Sequence, residues 1–498
     1  MGKLTKLLVI CVDAGDPGLI ARWAADGTLP TFRSLLGRGR WGPTTSPVGL
    51  YVGAVWPSFW TSLPPTRHRR YCYSQIQLGS YKEKWTHSRD TVGRAFWDEL
   101  SLQGRRVAIL DVPKTVVSSD LNGVQLVDWG THDPEGDPAS SPPSLAGEVE
   151  ATFGRHPVGK CDAHRHEIAE FTALRDSLLQ GVALKTELSS HFLAQGGWDL
   201  FLTVFAEAHC AGHQFWHLHD RLHPRHDFEM TRDLGDPMRD VYAAIDTGIG
   251  RLLEQAGEDT PVLVLASHGM GPHYDGTYLL ERILQARERA ELPKRTLAAA
   301  RALEWGWERL PRPARRLLRS LRAPVKQRLG DALVEPDSES RRCYASPNND
   351  AYGAVRVNLV GREPRGLVHP GPEFERFCEE LERDLLALVN VDTGRHLVRR
   401  VLRMADAHPG EPIDHLPDLL IEWDRGASTR PKTGTIRDQW TGNRTGDHQA
   451  SGLLITAGPG LGPERFSSAV DVTQIGATVA HGSASPWPTA RLPPCANC

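Results

Sequence analysis

The sequence lacks any long hydrophobic run. None of its apolar stretches approaches the roughly 18 residues that a membrane-spanning helix needs. The apolar run at residues 7–12 is also too short for the core of a signal peptide. We therefore expect a protein without a membrane span, located in the cytoplasm.

The chain also has no excess of either charge, no ordered cysteine pattern and no internal repeat. Its 58 Lys and Arg residues and 61 Asp and Glu residues give a net charge of -3, so nothing global indicates nucleic acid or an anionic membrane as a partner. Eight irregularly spaced cysteines favour reduced thiols over a disulfide framework. Cys495 and Cys498 form the only Cys-x-x-Cys pair, which alone is a weak metal or redox signal.

What the chain does contain is an alternation of short apolar runs and helical patterns. The runs at residues 7–12, 107–112, 200–205 and 262–266 are rich in Val, Leu and Ile and have the length of buried strands. Strands that alternate with helices indicate a parallel sheet covered on both faces. We predict an α/β fold, namely a three-layer α/β/α sandwich with a mostly parallel central sheet.

The composition changes near residue 282, where many arginines become interleaved with Leu and Ala. We predict a metal-binding core formed by residues 1–281 and 345–485, an Arg-rich helical insertion or cap at 282–344, and a tail at 486–498. The insertion is either a solvated helical face packed over the core or a surface for an anionic substrate, a partner or a membrane. The sequence does not choose among these.

Candidate metal ligands follow the predicted strands. In open α/β sheets, loops beyond the carboxyl ends of the strands form one crevice, so ligands distant in sequence can converge there. The ordered set is Asp13, His209, His213, His268 and His448. Because four histidines and a carboxylate agree in order and context, the sequence predicts a metal centre.

Several longer motifs surround these residues. In chain order they are Leu7-Leu8-Val9-Ile10-Cys11-Val12-Asp13, Gly27-Thr28-Leu29-Pro30-Thr31-Phe32, Trp56-Pro57-Ser58-Phe59-Trp60-Thr61, Ser267-His268-Gly269, Gly361-Arg362-Glu363-Pro364, Pro417-Asp418-Leu419 and Gly446-Asp447-His448. Together they resemble the alkaline phosphatase superfamily, and within it the type I phosphodiesterase and nucleotide pyrophosphatase group.

The resemblance implies an alkaline phosphatase-like fold and a two-metal site, usually zinc, with a Thr or Ser nucleophile that attacks a phosphoester or sulfate ester. It puts Asp13 and His268 on the first metal. It puts His213 and His448 on the second metal, and the residue at position 209 is the third ligand of that metal.

Three positions depart from the family pattern. His209 and Ser267 both stand where the family has Asp, and Val52 falls in the register of the nucleophile. An imidazole is a good zinc or iron ligand, so the second site becomes a three-histidine site. Serine is a much poorer ligand than a carboxylate and valine cannot attack, so the first site loses a charged ligand and its nucleophile. Neighbouring hydroxyls without matching register are those of Ser46, Tyr51, Ser58 and Thr61.

Three further residues are candidates for catalysis. Glu207 lies beside His209 and is either a general base or a structural hydrogen-bond partner. Ser267 precedes His268, and His273 follows closely behind it. His273 either supports a metal ligand or substrate, or is an exposed loop residue without a role in the site.

The leading hypothesis is therefore a metal-dependent hydrolase or transferase that acts on a phosphate-type ester of a small, anionic molecule. We expect one or two divalent ions, with zinc first and manganese or iron as alternatives. A His-rich site also suits iron and oxygen chemistry, and loss of the nucleophile also fits a binding protein without catalysis. The sequence does not give the substrate or the oligomeric state.

Overall fold

The computed structural model of the protein describes residues 6–159, 161–274, 276–290, 338–348, 351–425, 432–437 and 443–482. The chain divides into two compact units. Unit 1 comprises residues 1–73, 86–273 and 441–498, and unit 2 comprises residues 74–85 and 274–440. Most of the Arg-rich segment 282–344 and all of the tail 486–498 lie outside the described residues, so the boundaries predicted from the sequence stay predictions.

The strands of the described residues are short, and most are two to six residues long. In chain order they are β1 (Leu8–Val12), β2 (Arg40–Thr45), β3 (Ser74–Ile76), β4 (Glu83–Trp85), β5 (Val107–Leu110), β6 (Gly123–Val127), β7 (Ala139–Ser141), β8 (Leu200–Phe205), β9 (Val262–Ala266), β10 (Gly269–Pro272), β11 (Cys343–Ala345), β12 (Tyr352–Val357), β13 (Val398–Arg403), β14 (Leu419–Trp423), β15 (Lys432–Thr433), β16 (Ile436–Arg437), β17 (Gly446–Gln449), β18 (Gly452–Ala457), β19 (Glu464–Arg465) and β20 (Val470–Asp471).

The helices connect these strands and cover them. In chain order they are α1 (Pro17–Ala25), α2 (Pro30–Arg38), α3 (Tyr51–Thr61), α4 (Pro65–His68), α5 (Phe96–Leu102), α6 (Leu145–Phe153), α7 (Ile168–Ala194), α8 (Glu207–His219), α9 (Phe228–Leu234), α10 (Pro237–Ala256), α11 (Thr277–Ala290), α12 (Pro372–Leu386), α13 (Met404–Ala407) and α14 (Val472–Gly482).

Unit 1 is built on one large sheet with the strand order β19-β2-β18-β9-β1-β8-β5-β6-β7, and β20 also pairs with β2. The four runs predicted as strands are its centre: β1 pairs in parallel with both β8 and β9, and β5 pairs in parallel with β8. The parallel sheet of the predicted fold is therefore confirmed.

Helices cover both faces of this sheet, because its central strands are apolar on both sides. Alternate residues of β1 enter different clusters: Leu8, Ile10 and Val12 pack into a core with residues of α7, α8 and α10. Val9 and Cys11 pack on the opposite face with residues of α3, α5 and α14. A strand buried on both faces reads as a continuous apolar run, which is why the sequence identified these strands.

The edge regions of the sheet differ from the simplest parallel arrangement. β18 lies between β9 and β2 and is antiparallel to both, and β7 pairs antiparallel with β6. β7 also lies in a Pro- and Ser-rich stretch that favours a loop. Three residues of edge strand give too little pattern to recognise in the sequence.

Unit 2 contains a four-stranded antiparallel sheet with the order β11-β12-β14-β13. The helices α11 and α12 supply apolar residues to its core. The motif Gly361-Arg362-Glu363-Pro364 has a structural role here, because the Arg362 guanidinium donates two hydrogen bonds of 2.7 Å to the Asp418 carboxylate. This paired geometry joins the loop after β12 to the start of β14.

No helix among the residues described above has both the length and the apolar character needed to cross a membrane.

A buried ion pair between Lys185 of α7 and Asp111, which follows β5, is fully shielded from solvent. Asp111 also accepts hydrogen bonds from the backbone of Trp129 and Gly130 at 2.9 and 3.0 Å. Breaking a buried pair leaves an uncompensated charge, so we expect Lys185→Met to lower the free energy of unfolding by about 3–5 kcal/mol in denaturant titration.

Two controls make this prediction specific. Adding Asp111→Asn to Lys185→Met removes the unpaired charge and should recover part of the loss. Lys6→Met breaks a pair with Asp199 in which the lysine is 57% exposed, and should cost at most about 1 kcal/mol. Equal losses for Lys185→Met and Lys6→Met would contradict the prediction.

Candidate metal centre

Helix α8 begins directly after β8 and carries His209 and His213 one helical turn apart. Side chains four residues apart lie on the same face of a helix, and both imidazoles are buried, with exposed fractions of 8% and 0%. His448 lies on β17, which pairs with β10 so that His448 is opposite Met270. These three histidines, predicted as ligands of one ion, come together in unit 1.

Their Nε2 atoms converge. The Nε2 atom of His209 lies 3.1 Å from that of His213 and 2.9 Å from that of His448. In a tetrahedral zinc site with Zn–N bonds of 2.0–2.1 Å, two nitrogen ligands are separated by about 3.3 Å. The observed spacing therefore fits coordination of one ion after a small expansion.

The Nδ1 atom of each histidine faces an oxygen that only accepts hydrogen bonds. His209 Nδ1 lies 2.7 Å from Asp13 Oδ2, and His213 Nδ1 lies 2.9 Å from the carbonyl oxygen of Gly446. His448 Nδ1 lies 3.3 Å from Asp447 Oδ1. These partners assign the ring proton to Nδ1 of His209 and His213, and the neighbouring Asp447 carboxylate favours the same tautomer in His448. In these tautomers three unprotonated Nε2 lone pairs are directed at one another.

Lone pairs this close repel unless a cation lies between them. Metal-bound histidines almost always donate the other ring N–H to a carboxylate or carbonyl, and that is the pattern of all three rings. The donor set therefore fits a divalent metal ion such as zinc.

Asp13, Ser267 and His268 form an adjoining group at the ends of β1 and β9. Asp13 Oδ1 accepts hydrogen bonds from Trp56 Nε1 at 2.8 Å and from Ser267 Oγ at 3.4 Å. Ser267 Oγ also lies 2.9 Å from His268 Nδ1. If the serine donates to Asp13, it accepts from His268 Nδ1–H. The Nε2 atom of His268 is then unprotonated, and it has no hydrogen-bond partner among the described residues.

Burial controls the charge of this site. It lowers the pKa of His213 and of His268 well below the ordinary value, and lowers the pKa of His448 to about 4 despite the opposing effect of Asp447. Burial by itself would raise the pKa of Asp13, but the facing His209 and His268 hold that pKa below its usual range. Burial also lowers the pKa of His209, so at neutral pH all four imidazoles are neutral beside the charged Asp13 carboxylate.

The structure places the other predicted residues as follows. Glu207 is buried with Oε1 3.0 Å from His156 Nε2, which is the structural hydrogen-bond role considered above. His273 lies with Nδ1 3.6 Å from Asp447 Oδ2, and the other carboxylate oxygen of Asp447 lies 3.3 Å from His448 Nδ1. Glu207 and His273 remain candidates, and their roles in catalysis remain predictions.

The four hydroxyls considered as substitutes for the nucleophile fall into two groups. Tyr51 Oη donates to the carbonyl of His448 at 3.1 Å, and Ser46 Oγ lies 3.4 Å from the carbonyl of Ser267. Ser58 Oγ instead lies 2.9 Å from His68 Nε2, and Thr61 Oγ1 donates to the carbonyl four residues earlier at 2.6 Å. Only Tyr51 and Ser46 contact the backbone of candidate site residues.

His132 is the residue that sequence reasoning missed. Its ring stacks on that of His209 with a centroid separation of 3.8 Å, and possible ligand atoms of His132, His209 and His213 lie within 4.8 Å of one another. His132 lies in the loop after β6, outside every strand-end pattern. In the sequence its one distinguishing feature is the acidic residue that follows it, Asp133.

Comparison with known families gives one match over most of the chain. A family described as type I phosphodiesterase / nucleotide pyrophosphatase matches residues 7–448. No curated protein matches.

Solved structures show similarity in fold. Phosphonoacetate hydrolase from Sinorhizobium meliloti, in complex with phosphonoformate, is 13% identical, with 97% of this chain and 96% of that chain covered and a TM-score of 0.52. Murine ectonucleotide pyrophosphatase / phosphodiesterase 5 is 12% identical, with coverage of 98% and 97% and a TM-score of 0.49. The first comparison supports the alkaline phosphatase-like fold predicted from the sequence.

Because its histidines are buried, we predict that the metal-free protein loses stability in acid. In the unfolded chain a histidine takes up a proton near pH 6.5, whereas folded His448 does so only near pH 4. The unfolded state therefore binds more protons between these values, and stability falls as the pH drops from about 6.5 to 4. We expect His448 to contribute about 3 kcal/mol to this loss.

The measurement is denaturant unfolding of metal-free protein at several pH values between 7.5 and 4.5. His448→Gln should reduce the slope of unfolding free energy against pH in the acid range. An identical slope in wild type and variant would contradict the prediction.

Proposed function

The chain belongs to the type I phosphodiesterase / nucleotide pyrophosphatase family, and from that membership we propose that it is a metal-dependent hydrolase of small phosphate-type esters. In this proposal His209, His213 and His448 bind the catalytic cation. Zinc suits three imidazoles best, with manganese and iron as alternatives. We also propose that the protein works in the cytoplasm, a compartment in which cysteines without a disulfide pattern stay reduced.

The observation that carries the proposal is the convergence of three histidine Nε2 atoms in one buried place. With the ring protons on Nδ1, as the Nδ1 partners favour, the 2.9 and 3.1 Å separations from His209 are unfavourable in a metal-free protein, because no proton then lies between the rings. A structural role alone gives no reason for this arrangement. Coordination of a cation does.

When bound, a divalent ion would polarise a phosphoryl oxygen and lower the pKa of a water molecule. Three protein ligands are the number found in catalytic zinc sites, which keep a fourth position for water or substrate. The residues around them orient the ligands. Asp13 accepts a hydrogen bond from Nδ1–H of His209, and the Gly446 carbonyl accepts one from Nδ1–H of His213. Burial of all three rings limits access of bulk water.

Asp13 and His268 are proposed to bind or support another ion, beside the one held by the three histidines. The unpartnered, buried Nε2 of His268 is the support for this step, and Asp13 retains lone pairs beyond those that accept hydrogen bonds. Ser267 cannot supply the charge of a carboxylate, so we expect the ion at Asp13 and His268 to bind more weakly than the ion at the three histidines.

The substrate class follows from the family and from the expected chemistry. Phosphonoformate, the small anion bound by the Sinorhizobium meliloti enzyme, belongs to that protein, and at 13% identity the likeness concerns fold. For this chain we propose a small anionic phosphate-type ester. With Val52 in the register of the nucleophile, we propose attack by water rather than by a side chain.

Activity is tested with bis-p-nitrophenyl phosphate and a nucleotide diester on zinc-loaded protein. We expect His213→Ala and His448→Ala to lower turnover by more than about 100-fold, since loss of a group that only orients a ligand already costs about 10–100-fold. His396→Ala is the matched control, because His396 is exposed and lies in unit 2.

Three results would count against the proposal. Turnover unchanged in His213→Ala would remove the three-histidine site from catalysis. Bound iron with substrate-dependent oxygen uptake would favour oxidation chemistry instead. Metal binding without turnover of any ester would favour a binding protein.

Asp13 provides a second, separate prediction. Asp13→Asn keeps the size of the side chain but removes the charge that faces His209 Nδ1. We expect zinc affinity, measured by competition with a chelating dye, to fall by about 10–100-fold. Asp236→Asn is the matched control, since Asp236 Oδ2 likewise lies 2.7 Å from a histidine Nδ1, that of His219, but away from the centre. Equal affinity in Asp13→Asn and wild type would be the contrary result.

A further inference from the structure

A second cluster of metal-ligating side chains lies beside the three-histidine centre in unit 1. His132 Nδ1 lies 3.2 Å from Cys161 Sγ and 3.3 Å from Cys210 Sγ, and the ligand atoms of these three residues lie within 4.8 Å of one another. All three are buried, with exposed fractions of 7%, 4% and 4%. Nothing in the proposed hydrolysis uses the two thiols.

One carboxylate orients the histidine of this cluster. His132 Nε2 lies 3.1 Å from Asp133 Oδ2, and a carboxylate accepts, so Nε2 carries a proton. The other ring nitrogen, Nδ1, is the atom that lies beside the two sulfur atoms. One imidazole nitrogen and two cysteine sulfurs at one buried position form a donor set that suits zinc.

We propose that His132, Cys161 and Cys210 form a further metal site, the cysteine site, which binds zinc or a similarly thiophilic divalent cation through one nitrogen and two thiolate sulfurs. The site goes beyond the proposed hydrolase centre, because it shares no ligand with His209, His213 and His448. Asp133 accepts a hydrogen bond from Nε2–H of His132, as a carboxylate commonly does for metal-bound histidines.

The distances suit this donor set. With Zn–S bonds of 2.3 Å and Zn–N bonds of 2.0–2.1 Å, a tetrahedral site separates sulfur and nitrogen ligands by about 3.6 Å. The two measured separations are 3.2 and 3.3 Å, so movement of a few tenths of an ångström accommodates the ion. Two thiolates also neutralise its charge, which matters at a position without solvent.

The site joins three segments that no shared secondary structure connects. His132 lies in the loop after β6, Cys161 lies between α6 and α7, and Cys210 lies in the first turn of α8. An ion would therefore fix both segments to the helix that carries His209 and His213. Three protein ligands leave a fourth position for water or another small ligand.

The test is zinc X-ray absorption on full-length protein in which Cys495→Ala and Cys498→Ala remove the tail thiols. We expect a sulfur shell at about 2.3 Å beside nitrogen and oxygen at about 2.0 Å. Cys161→Ala and Cys210→Ala should each lose the sulfur shell and one zinc per chain. Cys378→Ala, which alters a buried cysteine of unit 2, should keep both.

The outcomes separate this site from the hydrolase centre. His213→Ala should keep the sulfur shell even while it abolishes turnover, so each centre can fail without the other. A wild-type spectrum with nitrogen and oxygen only would overturn the site formed by His132, Cys161 and Cys210. A sulfur shell that persists in both cysteine variants would overturn it as well. So would a Cys161–Cys210 disulfide or an imidazolium–thiolate pair that excludes zinc.

A second measurement needs no variant at these positions. Native protein is treated with N-ethylmaleimide with and without added zinc, and labelled cysteines are mapped by mass spectrometry. We expect zinc to slow labelling of Cys161 and Cys210 but not of Cys378. Equal labelling rates at all three positions with and without zinc would overturn the proposal even if a cysteine variant fails to fold.

Discussion

The buried carboxylate of Asp13 is the constraint on which the rest of the centre depends. One oxygen accepts from His209 Nδ1, and the other accepts from Trp56 and Ser267, so elements α8, α3 and the end of β9 meet at one side chain. Because Ser267 also bonds to His268, Asp13 sets the tautomer of two histidines. Burial alone would favour a neutral Asp13, but His209 and His268 stabilise its charge and lower its pKa. The ligand geometry thus rests on electrostatics at the carboxyl end of a single central strand.

The sequence predicts this centre well where it is tied to regular structure. β1, β8 and β9 are apolar on both faces, so their limits and the position of Asp13, His209 and His268 beyond them follow from pattern alone. The antiparallel sheet of unit 2 is not predictable in that way, since β12 and β14 give the same apolar signal as parallel strands. His132 and Cys161 lie in loops held by distant contacts, such as the Arg70–Glu135 and Arg444–Asp162 ion pairs. Ion pairs between residues distant in the chain leave no periodic pattern in the sequence, so the positions of these loops could not be predicted.

The three departures that the resemblance implies would have a common physical effect, namely loss of negative charge. In that register His209 replaces a carboxylate with a neutral ring, Ser267 replaces a second, and Val52 removes a hydroxyl that could become an anion. A cation held by three imidazoles keeps more of its charge than one held by carboxylates, and so lowers the pKa of bound water further. Such a site suits attack by water, for which no side-chain nucleophile is needed. Loss of the nucleophile is therefore consistent with retained hydrolysis by a different route.

The same loss of charge bears on where a second cation can bind. Two divalent ions within about 6–8 Å repel by roughly 10 kcal/mol at an effective dielectric constant near 20, so nearby anions must offset that repulsion. Among the ligands that the resemblance implies beside His268, only Asp13 is a carboxylate. Beside His132, which stacks on His209 at 3.8 Å, two thiolates would neutralise a divalent ion completely. A second cation next to the three-histidine centre is therefore electrostatically more favourable at Cys161 and Cys210 than at the position implied by the family. Helix α8, with His209 and Cys210 adjacent on it, would then serve both centres.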